Sequence, residues 1–500
     1  MVNILKLVSL LVSVLACAIG TTFAQEELPP IREVHEQEAK YYEIVDLAVD
    51  KTIFLEAGSF EVLPNKKMAI GTRRGDIYLV DGLLQETPFP KYQLFASGLH
   101  EVLGLAWYKG SLYATQQCEV TRITDTNNDG RADKFETIND DWGFGGEHEF
   151  TYGSKFDRDG LLWTVHCLTG SYTSEHKFRG WCLRTTTDGK VTPTCSGLRS
   201  PGGVGMNAAG DMFYTENQGP WNGACSLKHL RPKGFLGHPV SFPWYKDAPN
   251  MGATPKKPEG GREQRQHREA ARIPELVPPS VVFPYKKMGQ STSFVTTDES
   301  DGAFGPFAGQ TFVGDYTLSL VMRADMEKVN GVYQGACFPF REGFKTGLIG
   351  GMVTKNGYLF VGGCSRGWPA RGPEPFRLQR LDWKKVTPFE IQTMRLTEDG
   401  FELKFTQPVD EETASNASSY KLETFTHHYK PGYGSPEVDQ ETEAVESAIV
   451  AADKKTVRLK IDALRKGYIH ELTCKVCSVK GEPLLHNMAW YTLNQLKSKP

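Results

Sequence analysis

A twelve-residue acidic segment carries the clearest metal-binding pattern in the chain. Its glycine, Gly130, lies at the sixth position, where a calcium loop must turn sharply, and oxygen donors occur at the first, third, fifth, seventh, ninth and twelfth positions. These positions are Asp125, Asn127, Asp129, Arg131 (through its carbonyl), Asp133 and Glu136. The spacing predicts a structural calcium site. The alternative is a solvated acidic turn, because the flanking helices of an ordinary EF-hand are not evident here.

His148 is the candidate general base. It lies between Glu147 and Glu149, shortly before a glycine-led strand that starts at Gly153. An imidazole titrates near neutral pH, so a histidine facing a channel can take a proton from a bound hydroxyl group. The alternative is a structural histidine whose hydrogen-bond partners are the two neighbouring carboxylates.

A cation and a turn rich in carbonyl groups are expected near this histidine. Arg199 and Ser200 enter one glycine-led hairpin, and the same hairpin leaves through Gly219 and Pro220. A guanidinium group beside turn carbonyls suits an anionic ligand together with a metal cation. The alternative is an arginine with a structural role, which only links two neighbouring repeats of the fold.

These residues must be positioned by a repeated unit of about fifty residues. Clear glycine-led hairpins run from Gly104 to Tyr113, Gly153 to Trp163, Gly203 to Phe213 and Gly350 to Phe360, with weaker copies at 302–312 and 60–78. Each copy is a strand, a glycine turn and a second strand. The repeat predicts an all-β fold, a six-bladed β-propeller over residues 41–386, with a surface insertion at about 240–285. A seven-bladed ring is the alternative if the insertion contains strands.

The two ends of the chain have different patterns. An apolar run from Leu7 to Ile19, followed by small residues, predicts a signal peptide (1–24) cleaved near Ala24. The protein is therefore expected to be exported, to the periplasm or the outside of the cell, with an N-terminal segment at 25–40.

Short alternating strands predict an immunoglobulin-like β-sandwich over 389–496, with a structural or carbohydrate-contacting role.

Composition excludes several other classes of protein. Lys and Arg number 57 against 60 Asp and Glu, so no positive field is available to hold a nucleic acid. Ten cysteines in 500 residues are too few for a disulfide scaffold. Covalent haem is not expected, because Cys474 and Cys477 are followed by Ser478 and not by histidine.

From about residue 90 to 385 the chain resembles the soluble quinoprotein sugar dehydrogenases, six-bladed propellers that oxidise aldoses with pyrroloquinoline quinone and calcium. The resemblance implies that His148 is the base on the sugar hydroxyl and that Arg199, with Ser200 beside it, faces the quinone. It also implies that Gly219 and Pro220 form the turn that supplies carbonyls to the active-site calcium.

The chain departs from this family at three cofactor-binding cations. Thr317, Gly347 and Ile349 stand where the family has a lysine and two arginines. Arg366 and Arg371 could substitute from another loop, and the alternative is that this glycine-rich stretch is a solvated turn. The whole chain is also similar to a family of exported bacterial propeller proteins without an assigned function.

Three functions follow as hypotheses. The first is a dehydrogenase in which a sugar-like alcohol is oxidised by the quinone and an external acceptor takes the electrons. The second is a non-catalytic propeller that binds glycans or partner proteins. The third is a calcium-dependent, lactonase-like hydrolase, which would need carboxylates such as Glu147 and Glu149 to bind the metal.

Overall fold

The computed structural model describes residues 28–497, so the predicted signal peptide lies outside the described residues. Short strands dominate this part of the chain, and its helices are few and short. The α-helices are α1 His35–Glu38, α2 Gln266–Arg272 and α3 Glu411–Ser415, and 3-10 helices span Pro239–Asp247, Pro249–Met251 and Ala417–Ser419. Within the described residues, no helix is both long and hydrophobic enough to cross a membrane.

From residue 42 to 383 the strands form consecutive four-stranded antiparallel units. The chain enters through β1 Tyr42–Asp46 and continues with β2 Ala57–Val62, β3 Met68–Thr72, β4 Ile77–Asp81, β5 Lys91–Ala96, β6 Gly104–Tyr108, β7 Ser111–Thr115, β8 Val120–Thr124 and β9 Lys134–Asn139. The middle strands are β10 Thr151–Phe156, β11 Leu162–His166, β12 Trp181–Thr185, β13 Val191–Ser196, β14 Pro201–Met206, β15 Met212–Glu216, β16 Cys225–His229 and β17 Val281–Phe283. The last are β18 Thr292–Thr297, β19 Thr311–Asp315, β20 Leu320–Val329, β21 Val332–Arg341, β22 Leu348–Val353, β23 Tyr358–Cys364 and β24 Phe376–Trp383.

The first strands of these units contact one another in chain order, from β2 through β6, β10, β14 and β18 to β22, and β22 contacts β2 in turn. Strand β1 supplies the fourth strand of the last unit by pairing with β24. The arrangement is therefore closed and propeller-like. The all-β, propeller-like prediction is confirmed, while the blade count and the domain bounds remain predictions.

The glycine turns and buried strands explain why this sequence folds in this way. Gly110, Gly160, Gly210 and Gly357 join the first and second strands of their units, with φ between 77° and 91°. L-residues with a side chain rarely adopt this conformation, so glycine fits these hairpin turns. Strand β3 is buried along its whole length, as expected for a strand covered on both faces.

The weak repeat predicted at 302–312 differs from the structure. The first strand of that unit is β18, which lies before this stretch, and residues 298–310 form the connection to β19. Asp298 stabilises the connection by accepting hydrogen bonds from the amide and hydroxyl groups of Ser300. The glycine-led pattern at 302–312 therefore marks mainly a connection between strands and not a hairpin.

The C-terminal module continues the sheet of the fifth unit. Its strands are β25 Ile391–Leu396, β26 Gly400–Phe405, β27 Tyr420–His427, β28 Glu437–Glu443, β29 Val445–Val450, β30 Thr456–Ile461, β31 Tyr468–Cys474 and β32 Met488–Leu493. Strand β32 pairs with β21, which gives an eight-stranded sheet, and β25, β26, β30 and β29 form a second sheet. In β30 alternate residues are buried, which is the pattern of a sheet with one face on the core.

The segment between β16 and β17 contains helices but no strand of the main sheets. It is partly packed, because Tyr245 is buried and its hydroxyl lies 2.8 Å from that of Ser196, while the Trp181 indole donates to the Ser241 carbonyl at 3.0 Å. This segment covers the outer strands of the third unit.

Candidate functional site

Four of the predicted site residues line one cavity of about 380 Å³. His148, Arg199, Ser200 and Arg366 contribute to its wall. Apart from Tyr433, the wall consists of residues that precede or begin first strands and residues that follow second strands. Because first and second strands run antiparallel, these two sets of ends meet on the same side of the ring. The repeat therefore brings distant parts of the chain to one place.

His148 is exposed at this cavity, on a loop fixed by the buried carboxylate of Glu149. Its φ of 57° lies in the left-handed region, which costs roughly 1–2 kcal/mol for a residue with a side chain. Glu149 offsets this cost by accepting hydrogen bonds from the amides of Gly145 and Gly146 at 2.8 and 3.0 Å, and from the His176 ring at 2.8 Å.

The same contacts keep the Glu149 carboxyl ionised. Burial raises the pKa of Glu149, but hydrogen bonds from Thr169, His176 and the Gly146 amide lower it, and the net shift is downward. Its oxygens are therefore used to hold the loop, which leaves Glu149 a positioning residue for His148.

Arg199 is held from two sides and is only 5% exposed. Its Nε donates to the Ser171 carbonyl at 3.1 Å and its Nη1 to the Gln218 carbonyl at 2.6 Å. Glu216 fixes the backbone here, because its carboxylate accepts the amides of Arg199 and Ser200 at 3.0 and 2.6 Å. The Arg199 side chain is thus immobilised at the cavity wall.

In the turn predicted to hold the active-site calcium, the backbone carbonyls accept hydrogen bonds from other parts of the protein. The carbonyls of Asn217 and Gln218 face the Arg199 guanidinium, and the Gly219 carbonyl accepts the Gly434 amide at 3.1 Å. A calcium ion on these carbonyls would lie close to a fixed positive charge, which is unfavourable. The Gly219 carbonyl is thus already hydrogen bonded and its neighbours face Arg199, and calcium binding by Gly219 and Pro220 remains a prediction.

Arg366 and Arg371, predicted together as substitute cations, are separated by the structure. Arg366 lines the cavity and pairs with Glu56 at 2.8 Å. Arg371 is not among the described residues of the wall, and its guanidinium pairs with the buried Glu342 at 2.6 Å. Of these two arginines the structure therefore places Arg366 at the cavity, with its guanidinium paired with Glu56, and gives Arg371 a structural contact.

The acidic segment at 125–136 is the connection between β8 and β9. Asp125 accepts the Gly130 amide at 2.8 Å, and Asp129 accepts the Arg131 amide at 2.8 Å. Asp133 binds Thr126, whereas Asn127 accepts the amide of Asp129 at 3.0 Å. These side chains stabilise the turn with its own amides.

The twelfth position of this segment does not close on the loop. Glu136 lies on β9, where its carboxylate receives two hydrogen bonds from Arg122 at 2.9 and 3.0 Å. Within residues 28–497, no three His, Cys, Asp or Glu side chains are grouped as a metal site. The geometry does not fit a twelve-residue calcium loop, and calcium binding here remains a prediction.

Several wall residues were missed by sequence reasoning. Arg73 follows β3 at the position equivalent to other second-strand ends, but its hairpin copy is degenerate. Tyr316 follows β19 in the same way, whereas Tyr433 comes from the C-terminal module, which no repeat relates to the cavity. A count of residues after each second strand could have found the first two.

Three arginine side chains give this cavity a donor set that fits an anionic cofactor, while the charges of Arg73 and Arg366 are paired with Glu101 and Glu56. Arg73, Arg199 and Arg366 line it, and no carboxylate is among its described wall residues. Each guanidinium keeps N–H groups beyond those in its hydrogen bonds to Glu101, to carbonyls and to Glu56, respectively. Three guanidinium groups can bind three carboxylates, so this donor set suits a tricarboxylate such as pyrroloquinoline quinone.

Several solved structures and one family model are similar to this chain. Solved structures that it resembles include a candidate oxidoreductase (glucose dehydrogenase) from Thermus thermophilus, with 18% identity, TM-score 0.48, and coverage of 68% of this chain and 99% of that one. The PQQ-bound aldose sugar dehydrogenase of Streptomyces coelicolor has 15% identity and TM-score 0.46, covering 68% and 98%. The holo pyranose dehydrogenase PQQ domain of Coprinopsis cinerea has 10% identity and TM-score 0.48, covering 68% and 95%. A comparison with curated proteins finds no match. The chain belongs to the family described as a domain of unknown function, DUF7133, whose model matches residues 75–336.

Proposed function

We propose that this protein is an exported sugar or alcohol dehydrogenase, built as a six-bladed propeller followed by an immunoglobulin-like module. The observation that carries the proposal is the shared cavity, whose wall contains an exposed histidine and three guanidinium groups, two of them paired with Glu101 and Glu56. This combination can bind an anionic redox cofactor and remove a proton from a neutral hydroxyl group.

His148 is the base in this proposal. Its ring takes the hydroxyl proton of the sugar-like substrate and, being exposed, releases the proton to solvent. The loop held by Glu149 keeps the ring in place during this transfer. A bound pyrroloquinoline quinone would supply the hydride acceptor, with its carboxylates held by Arg73, Arg199 and Arg366, and an external acceptor would take up the electrons.

The test is cofactor binding followed by dye reduction. Titration of the protein with pyrroloquinoline quinone should saturate, and a panel of aldoses should then reduce an artificial electron acceptor. Arg73→Gln should weaken quinone binding at least tenfold, because a charge-assisted contact is worth about 1.5–3 kcal/mol. His148→Gln should lower the turnover rate by about 100-fold while quinone binding persists.

Arg74→Gln is the matched control for Arg73→Gln. Arg74 is the next residue along the chain, is half exposed, pairs with Glu56 at 3.0 Å, and is not among the described wall residues. The Arg74→Gln variant should bind the quinone with the affinity of the wild type. Absence of saturable quinone binding, or full turnover in His148→Gln, would reject the dehydrogenase.

A non-catalytic glycan-binding propeller is the second candidate. It is favoured by Ile349, an apolar wall residue at one of the positions where the dehydrogenases have a cofactor cation, and by Thr317, whose hydroxyl is hydrogen bonded to Ser291 at 2.8 Å. Saturable glycan binding without quinone binding or turnover would select this function. The hydrolase lacks support, since Glu149 is taken up by the loop and Glu147 is not among the described wall residues.

Export remains part of the proposal. Expression of the full chain in a Gram-negative host should yield a mature protein whose N-terminus lies near residue 25, after removal of the peptide ending near Ala24. N-terminal sequencing of the periplasmic fraction measures this directly, and an intact Met1 would contradict it.

A further inference from the structure

The connection between β27 and β28 reaches from the C-terminal module to the cavity. It is held along the turn that follows β15 by backbone hydrogen bonds. These run from the Trp221 amide to the Lys430 carbonyl at 2.8 Å, from the Gly434 amide to the Gly219 carbonyl at 3.1 Å, and from the Ser435 amide to the Gly223 carbonyl at 3.1 Å. The continuous sheet through β21 and β32 adds a second attachment. The connection is therefore a fixed part of the site.

This connection presents Tyr433 at the cavity. Tyr433 belongs to the wall, and the centre of its ring lies 5.2 Å from the Arg199 Cζ. The ring of Tyr172 lies 5.9 Å from the same atom. One buried cation thus lies near two aromatic rings that come from distant connections, one after β11 and one between β27 and β28.

The indole of Trp368 is the third ring at the mouth of the cavity. The loop that carries it is fixed by the Tyr316 hydroxyl, which lies within hydrogen-bond distance of the carbonyls of Arg366 and Trp368, at 3.2 and 3.3 Å. The side chains of Tyr172, Trp368 and Tyr433 line the cavity, yet they are 54%, 54% and 53% exposed. Wall residues that are half exposed lie where the cavity opens to solvent.

We propose that these three rings form a binding subsite for the sugar units of an oligosaccharide whose terminal unit enters the cavity. The negative face of an aromatic ring attracts the C–H groups on the flat face of a pyranose. Tyrosine hydroxyl and indole N–H groups at the ring edges can bond sugar hydroxyls, and Arg199, Ser200 and Asn217 offer further polar groups nearby. A lipid chain would find too many polar groups here.

The choice of sugar rests on the proposed function, but the subsite does not depend on turnover. The cavity accommodates the reacting unit beside His148, and the rings at the mouth contact the units that follow it. Affinity should therefore rise with the length of the glycan. The C-terminal module becomes a part of the binding site, with Tyr433 as its contact residue.

Binding of linear oligosaccharides of one to four units, neutral and uronate-containing, tests the inference by titration calorimetry without quinone. The wild type should bind tetrasaccharides of at least one series at least tenfold more tightly than the monosaccharide. Tyr433→Ala and Trp368→Ala should each remove most of this gain, because they should lower the affinity for the tetrasaccharide more than the affinity for the monosaccharide. Tyr433→Phe should retain the gain, because the ring is kept.

Phe89→Ala is the matched control. Phe89 is an exposed aromatic residue, 69% accessible, that is not among the described wall residues, so its removal should leave binding unchanged. Equal thermal unfolding of all variants excludes loss of the fold. Length-independent binding, an unaffected Tyr433→Ala, or no binding of any probe would overturn the subsite. Length-dependent binding without quinone-dependent dye reduction would overturn the dehydrogenase alone.

Discussion

A buried histidine joins the N-terminal helix to the C-terminal module, and its protonation should control stability at alkaline pH. The His486 Nδ1 lies 2.7 Å from Glu390 and its Nε2 lies 2.9 Å from Glu38, which belongs to α1. The carboxylates also meet arginines, since Arg341 lies 3.3 Å from Glu38 and Arg323 lies 3.3 Å from Glu390. The imidazole is thus placed between two anions within a buried charge network.

The direction of the effect follows from the pKa of His486. Burial lowers this pKa, but the charge of Glu390 and hydrogen bonds with Glu38 and Glu390 raise it more, to about 9, from a usual 6.5. At 1.36 kcal/mol for each pKa unit, a rise of about 2.5 units corresponds to about 3 kcal/mol of folding stability. Because the folded pKa is the higher one, this contribution is complete below pH 6.5 and is lost as the pH rises through 9.

Urea unfolding of the wild type and of His486→Gln at pH 6, 8 and 10 measures this contribution. The wild type should be the more stable protein at pH 6, and the difference should shrink by about 3 kcal/mol by pH 10. His35→Gln, on the same helix as Glu38, is the control for loss of a histidine outside this pair of carboxylates. A difference between wild type and His486→Gln that stays constant from pH 6 to 10 would refute the reasoning.

Three further changes test the site. In Gly219→Ala the new Cβ would lie 2.0 Å from the Arg199 Cζ, so the guanidinium must move, and the dissociation constant for quinone should rise at least tenfold. Glu149→Gln removes the carboxylate that binds the amides of the loop before His148, and the free energy of unfolding measured in urea should fall by about 2 kcal/mol. Any rise in melting temperature produced by calcium should be unchanged in Glu136→Gln, because this side chain is bonded to another strand; loss of the rise would contradict the geometry of the loop.

The parts of the fold that repeat could be predicted from the sequence. Glycine turns and apolar strands have local causes, so Gly160 and Gly210 are found in the hairpin turns that the pattern predicts. The same periodicity predicted that His148 and Arg199 approach first strands, and both line the cavity. The assignment of residues 302–312 to a hairpin was wrong because glycines also occur in longer connections.

The contacts of the C-terminal module could not be predicted in this way. Tyr433 reaches the cavity through hydrogen bonds such as that between Trp221 and Lys430, which are far apart in the chain and have no sequence period. The calcium pattern at Asp125 to Glu136 has the right composition, but the partner of its last residue, Arg122, lies on another strand. Residue spacing cannot show whether a carboxylate such as Glu136 will bind a calcium ion or a nearby arginine.

Arg199 differs from the structural arginines of this protein in how its charge is balanced. Arg179, Arg323 and Arg380 are fully buried, and each lies within 4 Å of a carboxylate, with distances of 3.9 Å to Glu149, 3.3 Å to Glu390 and 2.6 Å to Asp382. Among residues 28–497, Arg199 is found in no ion pair with a carboxylate, although it is 5% exposed and its neighbour Glu216 is used to bind backbone amides. Desolvating an ion costs several kcal/mol, and the carbonyls of Ser171 and Gln218 offset only part of it. The remaining positive charge faces the cavity, where an anionic guest would supply the missing partner.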